Sequence, residues 1–61
     1  MKRVDLVKHL EKQGCQKVRE GAKHTIYINP NTGEISTIPR HVEINKFLAR
    51  KICKDLSVSV I

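Results

Sequence analysis

Val4, Leu6, Val7 and Leu10 recur at helical spacing, with Asp5, Lys8, His9 and Lys12 on the opposite side. The pattern predicts an amphipathic helix over about residues 3–13, and Gly14 suits its C-terminal stop. Cys15 to Arg19 reads as a short strand, and Gly21 turns the chain into a second, His24 to Asn29, rich in Thr, Ile and Tyr. Alternation groups His24 with Ile26 and Ile28, which aims that side of the strand at a packed face. Asn29-Pro30-Asn31-Thr32-Gly33 is dense turn chemistry. A third strand, Glu34 to Ile38, is ended by Pro39. Ile44, Phe47, Leu48, Ile52 and Leu56 form a second apolar stripe, with Phe47 read as core and Asn45 as N-cap of a helix reaching about Leu56. The tail, Ser57 to Ile61, alternates Ser with Val and reads as a loose strand or as disordered.

The element order is α-β-β-β-α, in the α+β class. A three-stranded antiparallel meander with both helices on one face buries both stripes. Double-stranded-RNA-binding domains have this order and read A-form RNA by shape across its wide minor groove. The 61 residues make one domain, residues 1–61, with no room for a second core or a deep dinucleotide cleft. A domain of about 60 residues buries only about 60% of its unfolded surface, so its stability is marginal. There is no internal repeat and no low-complexity linker.

Charge sharpens the picture. Twelve Lys and Arg stand against six Asp and Glu, a formal charge of +6. Polyanions are natural partners of such a surface, although small domains also carry such charge for solubility alone. Met1-Lys2-Arg3 leads straight into the amphipathic pattern, with no apolar signal region behind it. No run approaches the roughly 18 apolar residues of a membrane span. Cys15 and Cys53, the two cysteines, do not read as a disulfide framework. The expectation is a cytoplasmic protein with reduced thiols and no membrane contact.

Lys46, Arg50 and Lys54 lie four apart on one line of the second helix. Like charges at that spacing cost about 0.2–0.5 kcal/mol per pair, so nothing in the isolated helix rewards them. A phosphate backbone would relieve all three; an ordinary solvated face is the alternative. Asp55 can relieve Lys51. Tyr27 and Phe47 are the only aromatic residues, too few for a sheet that stacks unpaired bases. Among the histidines, His9 falls on the polar side of the first helix and is expected to be solvated. His24 opens the second strand directly after Lys23, and His41 follows Pro39-Arg40. An antiparallel meander brings the start of strand two beside the end of strand three. His24 and His41 are therefore a conceivable acid–base pair for ribonuclease chemistry, with a merely packed strand-end histidine as the alternative. Lys23 beside His24 supplies charge for a phosphate or a developing oxyanion. Metal-ligand spacing is missing, and neither cysteine sits where a nucleophile would.

Several features in order carry a resemblance. They are Leu6-Val7-Lys8-His9-Leu10 to Gly14, Gly21-x-x-His24-Thr25-x-Tyr27, Asn29-Pro30 to Gly33, Pro39-Arg40-His41, and the closing helix. Together they resemble the HicA toxin family of toxin–antitoxin modules, over Lys2 to about Leu56. The resemblance implies a double-stranded-RNA-binding-domain-like fold and an mRNA-cleaving endoribonuclease with a single catalytic histidine, which falls on His24. It also implies a HicB-type antitoxin as partner. Many members carry serine where this chain has Lys23. The expected mechanism needs no metal or cofactor. His24 takes the proton of an RNA 2′-hydroxyl, and Lys23 with the Gly21 turn stabilises the phosphorane. Lys23, Arg40, His41, Lys46, Arg50 and Lys54 are the expected RNA contacts. The competing expectations are a non-catalytic double-stranded-RNA-binding module and a protein whose basic surface docks an acidic partner.

Overall fold

Helix α1 (Arg3–Lys12), strands β1 (Gln16–Glu20), β2 (His24–Asn29) and β3 (Glu34–Pro39), and helix α2 (Lys46–Asp55) follow one another in the computed structural model. The structure describes residues 1–60. The order is the expected α-β-β-β-α, and the strands form one antiparallel sheet in the order β1-β2-β3. It is an α+β fold like that of double-stranded-RNA-binding domains. Gly14 adopts φ +97° just beyond α1, a left-handed conformation that a Cβ would penalise. The Asn45 side-chain carbonyl caps α2 by accepting from the Phe47 amide at 2.7 Å.

The core joins Leu6 and Leu10 of α1 to Tyr27, Ile38, Ile44, Ala49, Ile52, Cys53 and Leu56. Full burial of a Leu or Ile side chain contributes about 1.5–3 kcal/mol. Both helices cover one face of the sheet, but not the face the hydropathy pattern points to. In β2 the buried residues are Thr25, Tyr27 and Asn29, while Ile26 and Ile28 are only half-buried and His24 is exposed. Each buried polar group is satisfied across the layer. Thr25 Oγ1 accepts from Arg3 at 2.8 Å, Tyr27 donates to Glu11 at 3.1 Å, and Asn29 Nδ2 donates to the Leu56 carbonyl at 2.6 Å. The hydropathy alternation of β2 has the period of the burial pattern and points to the opposite face.

Phe47 is the second correction: it is 70% exposed. At about 100° per residue, it lies opposite the Ala49, Ile52, Cys53 and Leu56 stripe that faces the core. It shares the outer face with the basic residues of α2. The tail forms no strand among its described residues, Ser57 to Val60, and Ile61 lies outside the described residues. Val58 packs on the core, and the Ser59 carbonyl meets His9 Nε2 at 2.6 Å. His9 is therefore partly buried and tethers the tail, rather than standing free in solvent.

Candidate functional site

The site grows from the end of the sheet where β1 turns into β2 and β3 runs into α2. The β1–β2 turn is Ala22-Lys23, closed by the Gly21 amide donating to the His24 carbonyl at 2.8 Å. Gly21 relieves a close approach here and has no special φ. A Cβ at that position would sit 3.1 Å from the His24 carbonyl oxygen. This bond also occupies the Gly21 amide itself, so any oxyanion contact falls to the rest of the turn.

Strand pairing brings the two histidines together. His24 faces Pro39 across β2 and β3, and the Arg40 amide extends the ladder by donating to the Lys23 carbonyl at 3.3 Å. The Arg40 guanidinium reaches back across the turn and donates to the Gly21 carbonyl at 3.0 Å. Glu20 lies 3.9 Å from the same guanidinium. A groove of about 410 Å³ results, lined by Ala22, Lys23, His24, Arg40 and His41. A second groove, of about 340 Å³, opens on the uncovered face of the sheet and is lined by Arg19, Gly21, Ala22, Lys23, His24, Ile26 and Thr37. His24 and Lys23 border both. Among the described residues, no carboxylate lines either one.

Arg19 was not among the residues expected at the site, and a β-bulge explains why it arrives there. Lys17 pairs with Tyr27, but Arg19 pairs with Ile26, leaving Val18 as the extra residue. Without the bulge, Arg19 would stand opposite Thr25 and its side chain would turn to the helix-covered side. With it, Arg19 joins Ile26 and His24 on the open face. Only the register carries this signal, and the strand pattern alone does not fix a bulge.

Gly21, Lys23, His24, Arg40 and His41 thus converge as expected. Lys46, Arg50 and Lys54 are exposed on the outer face of α2 and line neither groove. Among the described residues these three make no ion pair, whereas Lys51 binds Asp55 at 2.9 Å as its spacing suggests. The basic surface therefore has two parts, one at the strand ends and one on the helix. The thiols belong to the core. Burial pushes the Cys15 thiol up, and the nearby Cys53 adds to the shift, so neither burial nor charge favours a reactive thiolate. Among the described residues, no three His, Cys, Asp or Glu side chains gather as a metal-ligand set. No helix among them is long and apolar enough to cross a membrane.

Comparison with known proteins places this architecture. Neither the curated proteins nor the solved structures compared with the chain gave a match. The family model described as the HicA toxin of bacterial toxin–antitoxin matches residues 4–58, which takes in α1 apart from Arg3, the sheet, α2 and every residue of the two grooves. The chain belongs to the HicA toxin family, the toxin half of a toxin–antitoxin pair.

Proposed function

We propose that this protein is a metal-independent endoribonuclease that cleaves mRNA, with His24 as general base. The observation that carries the reading is the position of His24. It is exposed on the rim shared by two grooves, with Arg19, Lys23 and Arg40 around it and, among the described residues, no carboxylate in either lining. A ribose–phosphate backbone laid across the rim passes from one groove to the other at this imidazole. His24 accepts the proton of the 2′-hydroxyl, the oxygen attacks the adjacent phosphorus, and Lys23 with the amides of the Ala22-Lys23 turn stabilises the charged phosphorane. Arg40 holds the neighbouring phosphate. The products are a 2′,3′-cyclic phosphate and a 5′-hydroxyl. We place the protein in the cytoplasm, where its substrate is, and take a HicB-type antitoxin as the partner that masks this surface. Exposed Val18 and Ile35 and half-buried Ile26 and Ile28 on the uncovered sheet face give that partner an apolar footing beside the cations.

One observation favours a second reading. Lys46, Arg50 and Lys54 lie apart from the grooves, as they would in a non-catalytic double-stranded-RNA-binding module that docks through α2. Incubating the purified protein with mRNA in EDTA separates the two. Cleavage to cyclic-phosphate and 5′-hydroxyl ends supports the nuclease, and a mobility shift without cleavage supports the module. General-base catalysis contributes about 10²–10⁴-fold in rate. His24→Ala is expected to lose that factor and the growth inhibition while keeping fold and RNA affinity. Cleavage by that variant at the parent rate refutes the assignment.

A further inference from the structure

We propose that His41 is a second catalytic residue, the general acid that protonates the leaving 5′-oxygen. The inference rests on the endonuclease reading and deepens it. Transesterification at phosphorus makes one bond and breaks one. The attacking 2′-oxygen and the leaving 5′-oxygen stand roughly in line on opposite sides of the phosphorus. A proton must leave the first and another must reach the second. One imidazole on one side of the phosphorus cannot serve both oxygens in the same step, so the chemistry calls for a second proton donor in the groove.

The structure offers such a donor. His41 lines the same groove as His24, but from the connection between β3 and α2 rather than from β2. Two observations show that the backbone on either side of it is held. On one side, Arg40 is fixed through its amide to the Lys23 carbonyl and through its guanidinium to the Gly21 carbonyl. On the other, the Val42 carbonyl accepts from the Arg3 amide at 2.8 Å, and the Glu43 backbone pairs with that of Lys2 in an antiparallel β-bridge. The anchors bracket a single residue. The ionisable groups that share the groove with His41 are Lys23, His24 and Arg40, and Glu43 lies two residues along the chain.

The other polar groups are poorer donors. A guanidinium does not release its proton in proteins, and that of Arg40 is already bound to Gly21. A lysine ammonium gives up a proton near neutrality far less readily than an imidazolium. Tyr27 is buried on the helix-covered side and donates to Glu11.

The step balances without a co-reactant. The 2′-hydroxyl proton moves to His24 as the new P–O2′ bond forms. The P–O5′ bond breaks, and its electron pair takes the proton of the His41 imidazolium. Exchange with water then returns both imidazoles to their starting forms.

The test is an RNA oligonucleotide containing the mapped cleavage site, made with either the natural 5′-oxygen or a bridging sulfur at the scissile linkage. A thiolate leaves without protonation, so it has no need of the acid. His41→Ala is expected to slow cleavage of the oxygen substrate by about 10²–10⁴-fold. On the sulfur substrate it should return to within about tenfold of the parent, whereas His24→Ala stays slow on both. His41→Gln, which keeps hydrogen bonding but cannot donate a proton in the same way, should behave like the alanine variant. Parent-rate cleavage of the oxygen substrate by His41→Ala overturns the proposal. An equal loss on both substrates also overturns it, leaving His41 as a phosphate contact. If the parent protein cuts neither RNA, the endonuclease reading itself falls.

Discussion

Arg3 ties the first helix to the end of the sheet that carries His24, and its removal should be felt in stability and, on the proposed nuclease reading, in catalysis. Its Nε donates to the Pro39 carbonyl at 3.0 Å and its Nη2 to Thr25 Oγ1 at 2.8 Å. Both acceptors flank His24. Thr25 follows it in the strand, and Pro39 faces it across the ladder. Hydrogen bonds to charged donors contribute about 1.5–3 kcal/mol each, and half-exposure of the guanidinium lowers that figure. Arg3→Met keeps much of the apolar stem and leaves a carbonyl and a fully buried hydroxyl without their donor. We expect a loss of about 2–4 kcal/mol. A domain of this length has a total stability of about 3–9 kcal/mol, so the variant should melt about 10–30 °C lower while still folding in the cold.

A double-mutant cycle isolates the side-chain contact. Thr25→Val removes the hydroxyl and keeps the shape. If the Arg3–Thr25 bond is what couples α1 to β2, Arg3→Met should cost about 1–2 kcal/mol less in the Thr25→Val background. Urea denaturation followed by circular dichroism measures all four corners at constant m-value. Additivity within about 0.3 kcal/mol refutes the coupling. The functional arm is measured at a temperature where every variant is folded. Displacing the strand end should lower the cleavage rate more than RNA affinity, and an unchanged rate means that Arg3 braces the fold without positioning His24.

Two further expectations follow from the corrected faces and from Tyr27. Phe47→Ser should change stability by less than about 0.5 kcal/mol, whereas Ile52→Ala should cost about 2–5 kcal/mol; a comparable loss from both in thermal melts would return Phe47 to the core. Burial and the bond to Glu11 push the Tyr27 phenol up to about 12, above the ordinary value of about 10. The neutral form is the one the fold favours, so this contribution is complete below pH of about 10 and is lost as pH rises toward 12. Ultraviolet titration of this single tyrosine should show its tyrosinate appearing near that upper value or together with unfolding. An ordinary tyrosine titration with the fold intact contradicts the contact.

The parts of the molecule that were legible in the sequence are those set by local chemistry. Strand β2 begins and ends where expected because Gly21 and the Asn29-Pro30 turn bound it. Helix α2 starts where Asn45 can cap it. The approach of His24 to His41 followed from meander topology alone. What could not be read was which side of each element would be covered. Period-two alternation fixes two faces, but burial depends on whether Thr25, Tyr27 and Asn29 find partners. They do, in Arg3, Glu11 and the Leu56 carbonyl, and those partners are tertiary facts. Phe47 fails for a related reason. Ala49 and Cys53 are small enough for α2 to lie close to the sheet on that side, and the larger ring remains outside. Arg19 depends on one bulge that no local pattern announced.

The same polar ties explain how a cationic site persists in so small a protein. A cation near this end of the sheet can be held by a carboxylate, which cancels its charge, or by a carbonyl, which satisfies its protons and leaves the charge in place. The structure mainly uses the second kind. Arg3 is held by the Pro39 carbonyl and the Thr25 hydroxyl, Arg40 by the Gly21 carbonyl, and the N-terminal ammonium by the Ile44 carbonyl at 2.9 Å. Glu20 and Glu43 stand farther off, at 3.9 and 3.5 Å, in exposed pairs of the kind that contribute about 0–1 kcal/mol. The donors are therefore ordered while the field of the end remains positive. On the proposed reading, such a field would draw in the RNA and favour the negative charge that the reaction develops at phosphorus. Replacing the Gly21 carbonyl interaction of Arg40 with a close carboxylate would keep the turn in place and weaken the site, because geometry and charge are supplied by different atoms.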